Sequence, residues 1–248
     1  MISRSLIPFI TAGDPDKKST LKFLRSLDRY ADAIELGIPF TDPMADGPTI
    51  QDAVKRALES DTSIDDVLNT VKAFRKTSNT PIILMTYYNP VYVYGVEKFV
   101  DSAVRAGVHA TIVVDLPVEE SDEYLTVCAE HGLGNIFLAA PNTGEERLKK
   151  IDEVSSFVYL VSNFDITGSK KGVSELTCSA IERTKKNCVK PVAVGFGISE
   201  PSHVEEIMSA GADGVVIGSA LVKCIEEHGS DAGHFLEEKM KRFKEVMI

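Results

Sequence analysis

Two acidic side chains stand out as candidates for chemistry. Glu35 lies in the run Ala33-Ile34-Glu35-Leu36-Gly37, and Asp46 lies in the loop that follows that run directly, Gly37-Ile38-Pro39-Phe40-Thr41-Asp42-Pro43-Met44-Ala45-Asp46-Gly47-Pro48-Thr49. Period-two alternation along a strand puts Ile34 and Leu36 on one face and Ala33 and Glu35 on the other. With the aliphatic face against a helix layer, Glu35 points inward, where burial raises its pKa and lets it exchange a proton near neutral pH. The competing reading is a structural glutamate paired with an arginine, but the basic residues fall in predicted helices, loops and strand starts. Taken singly, Asp42 and Asp46 read as turn or cap aspartates. Their place in a long, partly apolar loop directly after Glu35 favours a working role.

A second set of residues suits an anion. Gly195-Phe196-Gly197-Ile198-Ser199 and Gly218-Ser219-Ala220-Leu221 each follow a late apolar run. Glycine lets backbone approach a ligand closely, and a helix N-terminus offers free N–H donors and a favourable dipole. Ser219 can add a hydroxyl or cap the next helix, and Thr167-Gly168 with Gly172 could supply a third donor loop. Tight turns would explain either glycine pair alone. Two glycine-containing exits on adjacent strands favour a phosphate cradle.

These groups need a scaffold, and the chain supplies a repeating one. Short apolar runs at 6–11, 33–36, 82–86, 110–115, 136–139, 158–162, 192–195 and 214–218 alternate with helical stretches such as 17–29, 65–76, 96–106, 121–130 and 202–210. The runs are too short for helices and rich in Ile, Val and Leu, as buried parallel strands are. Roughly eight such units predict a (β/α)8 TIM barrel: a parallel eight-stranded barrel folding as a single domain over 1–248, with a phosphate site at strands seven and eight. Chemistry in that fold gathers at the C-terminal ends of the strands. No lysine sits there, which argues against a Schiff-base aldolase. No histidine does either, so the Glu–His–Lys arrangement of a triose-phosphate isomerase is missing. Three strand starts resemble one another, at Tyr30-Ala31-Asp32-Ala33, Ala106-Gly107-Val108-His109-Ala110 and Ala210-Gly211-Ala212-Asp213-Gly214. Convergent αβ turns explain the likeness, and an internal duplication is not required.

Composition narrows the function classes. The 248 residues carry 27 basic and 37 acidic side chains, a net charge of −10, with 44% hydrophobic residues. An acidic balance without a basic cluster argues against nucleic acid or an anionic membrane as partner. No apolar run approaches the ~20 residues of a membrane span, and the N-terminus lacks an export-like segment, so a cytoplasmic protein is expected. Four cysteines without a CxxC pair read as reduced thiols, and five histidines without ligand spacing disfavour a zinc site. Carboxylates alone could still hold magnesium.

The segment Ile34 to Gln51 resembles the signature of the tryptophan synthase alpha chain family. Supporting likenesses run in order through the chain: Pro8-Phe9-Ile10-Thr11-Ala12-Gly13-Asp14-Pro15, Leu84-Met85-Thr86-Tyr87-Tyr88-Asn89-Pro90, Asp115-Leu116-Pro117, Ala140-Pro141-Asn142-Thr143, Tyr159-Leu160-Val161-Ser162, Thr167-Gly168, Gly195-Phe196-Gly197-Ile198 and Gly218-Ser219-Ala220. The resemblance implies a lyase of tryptophan biosynthesis that cleaves indole-3-glycerol phosphate to indole and glyceraldehyde 3-phosphate by a retro-aldol reaction, with no cofactor in this chain and no metal. It implies Glu35 as acid–base catalyst and Asp46 as the group that holds the indole N–H. Phosphate is implied at Gly168, Gly197, Gly218 and Ser219. Phe9, Met85, Ile112, Leu138 and Tyr159 match the indole pocket, although plain barrel core is an equal reading for each aliphatic residue. Thr167 would meet Asp46 when the loop 163–172 closes, and Asp115 would support the catalytic loop or cap a strand end.

The implied partner is a pyridoxal-phosphate-dependent beta chain in an α2β2 complex. It would dock over the mouth at residues 39–42 (including Asp42), Asn89-Pro90 and Pro117-Val118, all expected to be exposed. Docking is expected to activate an otherwise weak catalyst. Two departures stand against the family pattern. Asp165 replaces a usual glycine in the closing loop, and the chain starts almost directly with strand one, so the helix below the barrel is expected to be short or missing. Other phosphate-binding barrels compete less well: a sugar-phosphate epimerase needs metal ligands, and neither it nor a phosphoribosyl-anthranilate isomerase accounts for the loop from Asp42 to Asp46. A non-catalytic phosphoester-binding subunit would not need both carboxylates.

Overall fold

Short β-branched runs that alternate with amphipathic helices bury both faces when they wrap into a closed layer with helices outside. The computed structural model, which describes residues 4–161, 173–195 and 197–247, shows that arrangement. In chain order the elements are β1 (Ser5–Thr11), α1 (Lys17–Asp28), β2 (Ile34–Gly37), α2 (Pro48–Glu59), α3 (Ile64–Phe74), β3 (Ile82–Thr86), α4 (Tyr88–Tyr94), α5 (Val96–Ala106), β4 (Ala110–Val113), α6 (Asp122–His131), β5 (Gly134–Asn135), β6 (Phe137–Ala139), α7 (Glu145–Val154), β7 (Val158–Val161), α8 (Glu175–Asn187), β8 (Val192–Gly195), α9 (Pro201–Ser209), β9 (Gly214–Ile217), α10 (Ser219–His228) and α11 (Gly233–Glu245). The strands pair in parallel in the order β5-β4-β3-β2-β1-β9-β8-β7-β6.

Among the described residues, nine strand segments stand where eight strands are expected. The difference lies in the fifth stave, which is split at Ile136 into β5, paired with β4, and β6, paired with β7. Ile136 still donates its N–H to the Thr111 carbonyl at 2.9 Å, so the two pieces continue one another and close the ring. The expected runs 110–115 and 214–218 also end earlier, at Val113 and Ile217.

Alternation divides the core in two. Ile34 and Leu36 belong to the outer cluster with helix residues such as Phe23, Leu24 and Val71. Ile7, Phe9, Ala33, Ile83, Ile112, Tyr159, Ala193 and Val216 fill the barrel interior, joined by Ala53 of α2 and Val222 of α10. Glu35 lies level with Phe9 on β1 and Ile83 on β3, so it belongs to the inner face.

The three similar strand starts share a physical role at the floor of the barrel. Asp32 Oδ2 accepts the Leu6 N–H at 2.8 Å, Asp213 Oδ2 accepts the Val192 N–H at 2.7 Å, and His109 Nδ1 accepts the Ile82 N–H at 3.4 Å. Each side chain thus satisfies a donor at the start of a neighbouring strand, which buried backbone requires. A cation backs each acceptor: Lys244, Lys185 and Arg75 respectively. Gly107, at φ 90°, supplies the left-handed C-cap that brings His109 into place.

Candidate active site

The mouth holds a cavity of about 220 Å³ lined by Phe9, Glu35, Asp46, Gly47, Ile50, Met85, Tyr159, Gly197, Val216, Gly218 and Ser219. It joins both carboxylates to the glycine exits of β8 and β9, the seventh and eighth staves.

Glu35 is 1% exposed, and its Oε2 has no hydrogen-bond partner among the described residues. Burial, reinforced by the nearby Asp46 charge, pushes its carboxyl up to about 8. A carboxyl so placed keeps its proton at neutral pH, as a general acid must. Asp46 is held differently. The Tyr87 hydroxyl donates to its Oδ2 at 2.8 Å and accepts the Ala45 N–H at 3.0 Å, while Gln51 Nε2 donates to the Asp46 carbonyl at 2.8 Å. Burial raises the Asp46 carboxyl, and the Tyr87 bond offsets part of that rise. The two acids therefore differ in environment: one has no hydrogen-bond partner among the described residues and sits deep, the other is tethered at the rim.

The glycine side of the cavity is built from backbone. Gly197 takes φ 71°, a conformation open to glycine, and Gly218 forms the N-cap of α10. The first N–H groups of that helix have no intrahelical acceptor and face the rim as donors. Ser219 is the first residue of α10 and makes no cap bond, so of its two expected roles the helix cap is not the one adopted. Gly195 leaves room for Tyr159, since a Cβ there would lie 2.2 Å from the phenol oxygen. Burial, with the Glu35 and Asp46 charges beside it, pushes the Tyr159 phenol well above its ordinary value, so it remains a neutral hydroxyl.

The expected indole-pocket residues divide into two groups. Phe9, Met85 and Tyr159 line the cavity. Ile112, 1% exposed, is packed in the barrel interior, one strand over from Met85. Leu138 lies level with Tyr159 but lines a second cavity, with Asp115, Leu116 and Arg147. The pocket leans toward β1–β3 and β7–β9, and the far staves form its wall. Thr167 and Gly168 lie outside the described residues, as do Asp165 and the loop 163–172. Asp115 accepts the Tyr88 N–H at 2.6 Å, at the start of α4. Asp42 and Asn89 are exposed as expected, but Pro39 and Val118 are buried. Pro39 continues the buried stretch beyond β2, and Val118 turns its side chain into the outer core. Tyr87, Gly47, Ile50 and Val216 were not foreseen. A hydroxyl placed directly after β3 was the available signal for Tyr87.

Fold and pocket together define a protein of the (β/α)8 class with two carboxylates and a glycine rim around a cavity at the barrel mouth. Comparison narrows that class. A model of the tryptophan synthase alpha chain family matches residues 2–247. The chain is 50% identical over 238 residues to the tryptophan synthase alpha chain of Pyrococcus abyssi and 51% identical over 238 residues to that of Pyrococcus furiosus, covering 96% of each chain in both cases. A chain of the tryptophan synthase α2β2 complex of Pyrococcus furiosus, solved to explain mutual activation, superposes with a TM-score of 0.94 at 50% identity, covering 97% of this chain and 98% of that one. The chain belongs to the tryptophan synthase alpha chain family.

Proposed function

We propose that Glu35 and Asp46 are the acid–base pair with which this chain cleaves indole-3-glycerol phosphate to indole and glyceraldehyde 3-phosphate, the lyase reaction of its family in tryptophan biosynthesis. The observation that supports this most is the burial of Glu35 in the pocket wall with no cation beside it among the described residues, which leaves its carboxyl protonated at neutral pH. Glu35 delivers that proton to the ring carbon bearing the glycerol chain, giving a cationic, indolenine-like intermediate. Asp46, steadied by Tyr87, holds the ring N–H and stabilises the positive charge. The ionised Glu35 then takes the proton of the glycerol hydroxyl as the carbon–carbon bond breaks. The bonding pair returns to the ring, and the hydroxyl carbon becomes the aldehyde. One proton enters and one leaves, so the catalyst is restored.

Phe9, Ile50, Met85 and Tyr159 flank the indole in this reading, and Gly197, Gly218 and Ser219 hold the phosphate. Gly168 is assigned to the phosphate, and Thr167 to closure over Asp46, by the family resemblance. The chemistry is met by side chains and backbone, with residues 1–248 as one catalytic unit in the cytoplasm. Pyridoxal phosphate belongs to the beta chain expected as partner in an α2β2 complex. Asp42 and Asn89 lie on the face where that chain would dock, and the mutual activation described for the Pyrococcus furiosus complex supports activation on docking here. Incubation with indole-3-glycerol phosphate, with and without a beta chain, tests the reading: indole release that rises on docking is expected, and no indole in either case contradicts it.

A further inference from the structure

The helix that follows Asp46 and the helix that follows the glycine rim are tied together by one guanidinium. Arg56 lies on α2, where its Nε and Nη2 donate to Asp14 Oδ1 and Oδ2 at 2.7 and 3.0 Å, a two-pronged pairing. Its Nη1 reaches Glu226 Oε1 on α10 at 3.3 Å. The Asp14 side chain is fully buried, whereas Glu226 is 47% exposed, so the firm grip is on Asp14 and the tie to Glu226 is the weaker one. Asp14 has little freedom to move. The Gly13 N–H donates to Thr20 Oγ1 at 2.8 Å, and the Gly13 carbonyl accepts Ser60 Oγ at 3.0 Å. Gly13 takes φ 86°, and a Cβ there would lie 2.0 Å from Thr62 Oγ1. The loop after β1 is thereby locked against the C-terminal end of α2.

The opposite ends of the same two helices form the pocket. Gly47 caps α2 beside Asp46, Gly218 caps α10, and both line the cavity. At a helical rise of 1.5 Å per residue, Arg56 lies about 12 Å below the start of α2 and Glu226 about 10 Å below the start of α10. The clamp therefore crosses the two helices at matched depth. Between clamp and pocket, the fully buried Ala53 and Val222 belong to the same inner cluster. A helix is stiff over this length, so a tilt that pivots there displaces its N-terminus by a similar distance in the opposite sense.

We propose that Arg56 is a positioning residue that fastens α2 and α10 to the buried Asp14 carboxylate and so fixes the distance between the acid–base half of the mouth and its anion-binding half. This rests on the roles given above to Asp46 and the glycine rim. Cleavage of indole-3-glycerol phosphate and binding of glycerol 3-phosphate are measured for the parent chain, Arg56→Met, Arg56→Lys and Glu226→Gln, at a temperature where each is folded. Arg56→Met loses about tenfold to a hundredfold in kcat/KM, because misplacement of an ångström is costly in a preorganised site, and its Kd for glycerol 3-phosphate rises. Arg56→Lys keeps the charge without the planar fork and recovers part of the loss. Glu226→Gln frees α10 alone, so Kd rises a few-fold while kcat holds. A chain that is merely less stable would keep both constants in its folded fraction. Parent-like constants in Arg56→Met and Glu226→Gln overturn the proposal; if Arg56→Met does not fold, parent-like constants in Arg56→Lys and Glu226→Gln do so. A parent chain that neither binds glycerol 3-phosphate nor releases indole overturns the reading of the site, and the proposal with it.

Discussion

The Tyr87 hydroxyl donates to Asp46 Oδ2 at 2.8 Å and accepts the Ala45 N–H at 3.0 Å, so one side chain fixes both the carboxylate and the backbone just before it. Tyr87 is 4% exposed, and its ring lies 5.4 Å from that of Phe40. The loop after β2 is thus pinned from β3 rather than by its own turns alone. Tyr87→Phe keeps the ring packing and removes both bonds. Loss of a hydrogen bond to a charged group is expected to cost about 1.5–3 kcal/mol, and turnover is expected to fall by about tenfold or more as Asp46 loses its orientation. Steady-state indole release, read beside thermal unfolding, checks both.

Glu35 makes stability depend on pH. Its folded pKa of about 8 stands above its ordinary value of 4.5, so between those values the folded chain binds the extra proton. Stability then falls as pH rises, because the unfolded chain binds fewer protons. The contribution is full below about 4.5 and lost as pH climbs through 8. Denaturant unfolding from pH 5 to 9 is expected to show this decline in the parent chain and a flatter profile in Glu35→Gln, which becomes the more stable of the two at the alkaline end. An equal slope in both would exclude the buried, protonated state of Glu35.

Gly37 and Phe9 share a tight contact. A Cβ at Gly37 would lie 2.9 Å from Phe9 Cζ and 3.0 Å from Cε2. Gly37→Ala is therefore expected to push the Phe9 ring into the pocket, lowering kcat/KM several-fold. Overpacking of this kind costs about 1–3 kcal/mol. Kinetics and a melting curve read the two effects separately.

Much of this architecture was legible in the sequence because parallel staves are short, apolar and regularly spaced. The inward aim of Glu35 followed from the alternation Ile34-Glu35-Leu36, and the floor acceptors Asp32, His109 and Asp213 were visible as three similar strand starts. What escaped depends on the shape of the closed ring. The break at Ile136 leaves no mark in an apolar run, because its N–H stays bonded and its side chain stays inside. Period two places Ile112 and Leu138 near the right level, yet only the lean of the cavity decides that one belongs to the core and the other to a neighbouring cavity. Pro39 and Val118 sit in loops, and loop burial is set by which element crosses above. The bond from Tyr87 to Asp46 spans 41 positions, and no local pattern encodes it.

Asn89 is exposed and lines a surface groove with Phe40, Thr41, Pro90 and Val93. Asn89→Ala is expected to leave basal indole release of the isolated chain unchanged and to reduce its stimulation by a beta chain. Titrating beta chain against both proteins, with indole release as readout, distinguishes this from undiminished stimulation, which would place docking elsewhere.

The most direct test is Glu35→Gln, assayed for release of indole from indole-3-glycerol phosphate at neutral pH and for binding of glycerol 3-phosphate. The account predicts a fall in turnover of about 10²–10⁴-fold, the usual worth of a positioned acid–base group, with binding retained because the glycine rim is untouched. Turnover within a few-fold of the parent would contradict it.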